Sequence, residues 1–551
     1  MSESQCFILV EGINLYANIY DTDQLSVIRG SSFLYKDAIE TLKDAFKGRM
    51  TCISSGASSG LFQPLAEQHA GPLVSAIEKF LAAPDCQYRL LTFMVVEAEA
   101  TTLLEAKEKL YARLRLKQLQ SLSLQPDRSA VEAGAFNSTP CGLSGNRIAA
   151  HHKRKIQGDK DKVLSDSVFQ RWEYGRDAKK HYYAALLDDS GLKTQLEKSD
   201  FANDIETLCK DERQKLNQKM AVVYLDGNDF STHQRNFIQS GNTVREQIER
   251  QQCFDTAIQQ QRRQFLTETL QYLLPKQRGD VIRLETLLWG GDEMLLVMPA
   301  WEGFDFLQRF FAFGWQLPDG EGGADKPLTH AAGIVFCQAN TPIRIIQKLA
   351  RELAEDIKEL KNGQGDPIGR QQNGWDYLVL ESVDYPTNES LSGYFAERYG
   401  KTLADSRPGW LPAIDGWDRQ RGELEALLTG KAVTRGQLHR IVQAIRRYPD
   451  PGKGEDDKAC VAHAWVEVIT LEGGVLAEAH PQEQAERRLF EVSEGQTFLK
   501  TLPDRARVWF GVESFDDPKQ RAWFWIHLLE LWDYLIPCQQ PDGNEKPQEG
   551  Q

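Results

Sequence analysis

A short hairpin pattern is the feature that most constrains how this chain can fold. The sequence RLETLLWGGDEMLLVMP at 283–299 has apolar residues up to Trp289, then two glycines and two acids, then five more apolar residues. Continuous apolar runs of this length are typical of strands buried on both faces. A Gly-Gly pair permits a tight turn between two such strands. We therefore expect Asp292 and Glu293 to lie at a turn between two buried strands.

The same α/β pattern occurs twice in the chain. Residues 1–125 and 206–385 each show the order strand, helix, hairpin, strand, helix, which indicates a duplicated ferredoxin-like β-α-β-β-α-β fold. Residues 126–205 are polar, basic and weakly periodic, and they predict a linker with small helices. Residues 386–540 lose the strand signal and predict a helical bundle, and the polar tail 541–551 is expected to be disordered. The predicted fold class is α+β.

Two helix starts follow from local signals. In the first unit the sequence predicts a helix over 29–46, with Ser31 or Ser32 as its N-cap. In the second unit it predicts a helix over 342–361, with Pro342 at its start.

Composition and charge set limits on the class of protein. Of the 551 residues, 41% are hydrophobic and 26% are charged, which is typical of a soluble globular protein. No apolar run approaches the roughly 20 residues of a membrane span. Nine cysteines without a CxxC pair favour a reducing, cytoplasmic location over a disulfide framework or a zinc ribbon.

The net charge of −14 repels nucleic acid on average, so any contact with RNA must be local. The basic stretches 151–162 and 435–447 are candidates for such contact. Solvated loop and helix faces explain most runs of this kind.

The stretch YLDGNDF at 224–230 contains the candidate first acid. Apolar residues precede Asp226, and Phe230 is expected to return to the core four positions later. Phosphoryl transfer commonly uses two divalent cations about 3.5–4 Å apart, bridged by carboxylates from neighbouring elements. Asp226 at a strand end, with Asp292 and Glu293 on an adjacent hairpin, would supply these carboxylates. Taken separately, however, DG is a common turn signal and GGDE is more simply a Gly-Gly hairpin with solvated acids.

The predicted helix at 342–361 contains a further candidate. Leu349, Leu353 and Ile357 share one helical face, and Lys358 ends the run. A lysine here could contact a triphosphate as a point charge, although an ordinary solvated lysine is the simpler interpretation.

These motifs together resemble the nucleotidyl-cyclase and polymerase palm superfamily, which includes the GGDEF diguanylate cyclases. The large cyclase subunit of type III CRISPR effector complexes is the more similar member. In this family an acid ends a strand with a hydrophobic residue at +4, a hairpin carries GGDD or GGDEF, and a later helix ends in a phosphate-contacting lysine. The matching residues are Asp226, Phe230, Gly290, Gly291, Asp292, Glu293 and Lys358.

The resemblance extends to the first unit and to the C-terminal helices. Residues 7–35 resemble the first, degenerate palm of the CRISPR cyclase subunits, including its arginine-glycine-serine element at 29–32. The corresponding hairpin at 54–60 has no acid pair. The resemblance therefore implies a non-catalytic palm that helps to bind the second nucleotide.

Three departures from the family pattern stand out. None of the ten histidines is followed by aspartate, so we expect no HD nuclease domain. The family's zinc element uses paired cysteines, whereas only Cys141 stands in TPCGLSGNR, so zinc is not expected. Glu293 replaces the second aspartate of GGDD.

The resemblance implies a metal-dependent nucleotidyltransferase that joins ATP or another nucleoside triphosphate into a cyclic di- or oligonucleotide for antiviral signalling. Asp226 and Asp292 would hold two Mg²⁺ or Mn²⁺ ions with help from Glu293, and Lys358 would offset triphosphate charge. Gly290 and Gly291 would leave room for the nucleotide. One alternative is a non-catalytic, nucleotide-binding scaffold subunit of an RNA-guided complex. A template-directed polymerase or primase is another, which would need a basic cleft.

Overall fold

The structure, a computed structural model, describes most of the chain. The described residues are 4–66, 68–120, 139–150, 152–155, 161–187, 190–212, 214–274, 281–318, 326–361, 365, 367–381, 386, 390–429, 433–446, 493–515 and 517–536. The predicted tail at 541–551 lies outside them.

The first unit is a four-stranded antiparallel sheet with two crossover helices. Its strands are paired in the order β2-β3-β1-β4, as a β-α-β-β-α-β unit requires when its two outer connections are helical. The elements are β1 Gln5–Gly12, α1 Leu15–Ile19, α2 Leu25–Ala45, β2 Met50–Ser55, β3 Ser59–Pro64, α3 Ala70–Leu81, β4 Phe93–Ala100 and α4 Leu103–Gln120.

The predicted linker contains a longer helix than we expected. Its elements are β5 His152–Lys155, β6 Asp161–Leu164, α5 Asp166–Leu186, α6 Ser190–Lys198, β7 Asp200–Phe201 and α7 Ile205–Cys209. The 21-residue helix α5 packs along α2, and the Ser165 side chain caps it by accepting from Val168 N. Its apolar period is weak because two inward positions are charged, Arg171 and Lys179, and both are buried in ion pairs.

The second unit repeats the strand order of the first. Its six-stranded sheet has the order β10-β11-β8-β14-β15-β16, and the first four of these strands are antiparallel. The fifth, β15, joins β14 in parallel. The elements are β8 Lys219–Gly227, α8 Phe230–Gln239, α9 Val244–Leu273, β9 Val281–Ile282, β10 Glu285–Trp289, β11 Met294–Pro299, α10 Ala300–Ala312, β12 Gln316–Leu317, β13 Lys326–Pro327, β14 His330–Gln338, α11 Ile343–Glu359 and β15 Gly374–Val379.

The C-terminal segment is mainly helical in its described part. Its elements are α12 Leu391–Tyr399, α13 Lys401–Ala404, β16 Leu411–Pro412, α14 Trp417–Thr429, α15 Arg435–Arg446, α16 Ser493–Phe510, α17 Pro518–Glu530 and α18 Trp532–Leu535. Buried polar contacts join this segment to the second sheet. Asp376 pairs with Arg407, which follows α13, and the Tyr377 hydroxyl lies 2.7 Å from His527 Nδ1 of α17. Among the helices in the described ranges, none is long and apolar enough to cross a membrane.

One predicted helix start is wrong. The helix α2 begins at Leu25, after the N-cap residue Gln24, so Ser31 and Ser32 lie inside it. Both hydroxyls donate elsewhere, Ser31 Oγ to Val27 O at 2.7 Å and Ser32 Oγ to Leu287 O at 2.8 Å. Ser31 thus satisfies its hydroxyl within the helix, and Ser32 does so through a contact with β10.

Helices α2 and α5 cross with their backbones in contact. A Cβ atom on Gly30 would lie 1.8 Å from Arg171 O, and one on Gly175 would lie 2.0 Å from Ser26 O. Only glycine permits such an approach. The crossing joins α5 to the core of the first unit.

Candidate functional site

The hairpin of the second unit lies beside the end of β8. In the pairing of β11 with β8, Met294 lies opposite Leu225, so the preceding turn falls next to Asp226 and Gly227. The turn is closed by a hydrogen bond of 2.8 Å from Gly290 N to Glu293 O. The two acid-bearing elements predicted from the sequence are therefore neighbours.

Gly227 allows the turn to approach β8 closely. A Cβ atom at this position would lie 2.9 Å from the Cβ of Asp292. Any other residue here would push the hairpin away from the strand. The glycine that follows Asp226 in the sequence is thus a spacing residue for the acid pair as well as part of a turn.

Lys358 lies against the first acid. Its Nζ is 2.7 Å from Asp226 Oδ1 and donates to Gly227 O at 2.8 Å. Both charged side chains are mostly buried, with 15% and 16% of their surfaces exposed. The structure therefore brings the predicted lysine to the predicted acid site from the last turn of α11.

The carboxyl group of Asp292 is electrostatically disfavoured as an anion. Burial raises its pKa, the neighbouring charge of Asp226 raises it further, and the result is about 7. Lys358 only partly offsets these effects.

Arg351 is a further cation at the site that the sequence analysis missed. Its Nη2 lies 3.8 Å from Glu293 Oε2, and its guanidinium lies 4.9 Å from the centre of the Tyr224 ring. It precedes Lys358 by seven residues, which is two helical turns, so both side chains point toward the same edge of α11. This seven-residue spacing in the sequence could have identified Arg351 as a second cation near the site.

Phe230 and the two glycines line the turn. A Cβ atom on Gly291 would lie 3.6 Å from the Phe230 ring, and Phe230 itself packs edge-on against Phe254 at 5.2 Å between ring centres. Neither Gly290 nor Gly291 has a positive φ. The turn conformation therefore does not require glycine at either position, and a Cβ atom on Gly290 would meet Glu293 O at an ordinary contact distance of 3.4 Å.

The acids do not form a closed cation cage in the structure. Within the described ranges, no group of three or more His, Cys, Asp or Glu side chains stands ready to hold a metal ion. Instead, the Lys358 ammonium occupies one face of Asp226. Cys141 is the single cysteine at the position where the family resemblance would place a zinc element. It is buried in a small apolar cluster with Val27 and Leu164.

The two basic stretches are the predicted candidates for contact with RNA. On the first, the His152 ring stacks on Phe169 at 4.1 Å and Arg154 lies 4.5 Å from the same ring, and Arg176 lies 4.8 Å from the Trp172 ring. Residues 151 and 156–160 of this stretch are outside the described part. Residues 435–446 of the second stretch form helix α15, and Arg435 pairs with Asp533 at 2.7 Å. The buried apolar residues of this helix are Leu438, Ile441, Val442 and Ile445, and residue 447 is outside the described part.

Comparison with known proteins gives remote structural likenesses. No protein-family model and no curated protein sequence matches the chain. Among solved structures, the chain is similar to a Csm1-Csm4 cassette in complex with cA4, with 13% identity and a TM-score of 0.43 over 89% of this chain and 69% of that one. It is also similar to a Csm1-Csm4 subcomplex of the type III-A CRISPR-Csm interference complex, with 12% identity and a TM-score of 0.41 over 89% and 69% of the two chains. A type III-B Cmr-beta structure in the apo state matches with 9% identity and a TM-score of 0.40 over 87% and 79%.

Proposed function

We propose that the second unit is a catalytic palm that joins nucleoside triphosphates, with ATP as the first candidate, into a cyclic di- or oligonucleotide and releases pyrophosphate. The first unit is then a degenerate palm, and the resemblance of the motifs suggests a role in CRISPR-type antiviral signalling. The site residues are Asp226, Asp292 and Glu293 as acids, with Lys358, Gly290, Gly291 and Phe230 around them.

One observation carries the proposal. The end of β8 and the turn between β10 and β11 bring Asp226 and Asp292 together at one end of the sheet, although 65 residues lie between them in the chain. Two partly buried carboxylates side by side repel each other, and burial together with the charge of Asp226 raises the pKa of Asp292. Such a pair is the donor set that oxygen-seeking divalent cations need.

The residues present fit a divalent cation. The Lys358 ammonium already lies between Asp226 Oδ1 and Gly227 O, so these two oxygen atoms face a positive charge in the structure. Two Mg²⁺ or Mn²⁺ ions held by Asp226 and Asp292, with Glu293 assisting, would lower the pKa of an acceptor ribose hydroxyl and stabilise the leaving pyrophosphate.

The chain's own residues bind and orient the reactants. Lys358 and Arg351 lie about 10 Å apart along α11 and would contact successive phosphates. Lys358 would do so as a point charge, and Arg351 through its planar guanidinium group. Because they carry no side chains, Gly290 and Gly291 would leave room for the sugar-phosphate backbone beside the turn. The acceptor hydroxyl oxygen attacks the α-phosphorus, a phosphodiester bond forms, and the bond to pyrophosphate breaks, so no side-chain nucleophile is needed.

The decisive experiment compares two neighbouring aspartates. Purified protein is incubated with each nucleoside triphosphate and Mg²⁺ or Mn²⁺, pyrophosphate release is followed, and products are separated by mass. We expect Asp226→Asn to lower turnover by at least about 100-fold, since it removes one charged ligand of the transition state. Asp229→Asn is the matched control, because Asp229 lies three residues away but pairs with Arg370 at 2.8 Å instead of facing the turn.

Asparagine also suits the left-handed backbone of residue 229, whose φ is 50°, so the control adds no strain. Equal product from the Asp226→Asn protein and the wild type would refute the assignment of the acids. Product lost equally in both variants would show that the effect is not specific to the acid pair.

A second candidate function rests on the first basic stretch. Arg154 of this stretch and Arg176 of the following helix α5 lie over aromatic rings, and guanidinium groups are surfaces on which unpaired bases can stack. This arrangement favours a nucleotide-binding scaffold subunit of an RNA-guided complex. Charge reversal at Lys153, Arg154 and Lys155 should then abolish salt-dependent binding of single-stranded RNA and leave triphosphate turnover unchanged. Unchanged RNA affinity in that variant would refute the scaffold function at this surface.

A further inference from the structure

The two units hold each other's hairpins. Helix α2 of the first unit packs against β10 of the second, and helix α9 of the second unit packs against β2 of the first. Both β10 and β2 are edge strands of their sheets. Each also carries a β-bulge, between Thr286 and Leu288 in β10 and between Cys52 and Ser54 in β2.

The contacts of α2 converge on the strand that leads into the acid-bearing turn. Ser32 Oγ donates to Leu287 O at 2.8 Å, and Leu287 is the extra residue of the bulge. Arg29 Nη1 pairs with Glu285 Oε2, and both side chains are fully buried. Lys179 of α5 completes this group at 2.9 Å from the same oxygen atom.

An edge strand next to a site needs support from outside the sheet. The strand β10 has β11 on one side only, so hydrogen bonds of the sheet fix one flank of the hairpin. A bulge redirects the residues that follow it and is common beside active sites. The contacts of Arg29 and Ser32 fall five and three residues before Gly290, and they supply the missing flank.

The first unit's hairpin is held in the same way by α9. Gln252 Nε2 donates to Cys52 O at 3.0 Å, and Ser54 Oγ donates to Asp255 Oδ2 at 2.6 Å. These two contacts flank the bulge of β2. The arrangement is therefore reciprocal, although only the second hairpin carries an acid pair.

We propose that the first unit positions the catalytic turn: Arg29 and Ser32 of α2 fix the turn at 290–293 relative to Asp226 by holding the bulged strand β10. This inference rests on the proposed function for its catalytic consequence, but its structural part does not. Arg29 and Ser32 are positioning residues that act through the strand. Displacement of a catalytic group by about 1 Å can reduce a rate by up to about 100-fold, so a loose hairpin would be costly.

The test uses adjacent serines of one helix. In Ser32→Ala, amide hydrogen exchange of the peptide spanning 285–299 should rise about tenfold, because one partly buried hydrogen bond of ordinary strength changes local opening by up to about that factor. The turnover number should fall about tenfold with KM changed less than twofold. Ser32→Thr, which keeps the hydroxyl, should restore both quantities.

Ser31→Ala is the matched control. Ser31 is also buried and bonded, but its hydroxyl contacts Val27 O and lies 3.1 Å from Arg171 Nη1, away from the hairpin. This variant should leave both the hairpin exchange and the turnover of the folded protein as in the wild type.

Each outcome decides between the two proposals. Unchanged hairpin exchange in Ser32→Ala would overturn the positioning role, whatever the activity. Raised exchange with an unchanged turnover number would also overturn it. If the wild-type protein makes no product and Ser32→Ala still raises the hairpin exchange, the result would support the contact of α2 with β10 and refute the proposed function.

Discussion

Replacement of Gly30 by alanine tests the close crossing of α2 and α5. The new Cβ atom would lie 1.8 Å from Arg171 O, whereas carbon–oxygen contacts are normally about 3.3 Å or longer. Because the opposing atom belongs to the backbone, it cannot rotate away. The two helices must therefore separate.

The cost follows from the contacts at the crossing. Overpacking of a tight site costs about 1–3 kcal/mol. Separation also weakens the buried hydrogen bond of 2.7 Å from Arg29 Nε to Gly175 O, which contributes about 1.5 kcal/mol or more because the donor is charged. Alanine returns up to about 1 kcal/mol through its better helix propensity. We expect a net loss of about 3 kcal/mol in the free energy of unfolding.

Thermal unfolding followed by circular dichroism measures this effect. If the 551-residue chain unfolds as one unit, a loss of about 3 kcal/mol should lower Tm by roughly 3 °C. Gly422→Ala is the matched control, since Gly422 lies in the middle of α14, where a Cβ atom would meet no neighbouring group within 4 Å, and it should raise stability slightly. A Gly30→Ala protein with the Tm of the wild type would refute the contact between the two backbones.

Two further predictions concern charge. Lys358→Met removes the ammonium that lies against Asp226. The affinity for Mn²⁺ without nucleotide, measured by calorimetry, should therefore rise about tenfold, while turnover falls. Weaker binding of Mn²⁺ by this variant would contradict the prediction. Burial of His527, with Arg407 nearby, lowers the pKa of the imidazole well below its usual value, so below about pH 6.5 only the unfolded chain gains a proton there and stability is lost as the pH falls. The slope of unfolding free energy against pH below 6 should therefore be smaller in His527→Gln by up to about 1.4 kcal/mol per pH unit, and equal slopes would refute the argument.

The sequence was sufficient to predict the elements around the candidate site. Period and turn signals predicted the strand before Asp226, the hairpin with Asp292 and Glu293, and the helix that ends near Lys358. These features are local, because each depends on residues within one or two elements. Their adjacency in one sheet followed from the repeated strand and helix order and is confirmed by the pairing of β8 with β11.

What the sequence did not reveal depends on partners far along the chain. The serine at 32 looked like a helix cap because its acceptor, Leu287 O, is 255 residues away. Helix α5 looked like a linker because buried Arg171 and Lys179 break its apolar period, and their acidic partners lie in other elements. The contact of Lys358 with Asp226 was also missed, because the two residues are far apart in the chain and the resemblance suggested phosphate as the partner of the lysine.

The reciprocal packing of the two units has a consequence for handling the protein in pieces. A fragment that contains only the second unit would expose the outer edge of β10, with its unpaired backbone groups and its buried Glu285 uncovered. Open edges of this kind pair with other chains and promote aggregation. Each unit therefore covers a surface of the other that would otherwise promote aggregation, and neither unit is suited to expression alone.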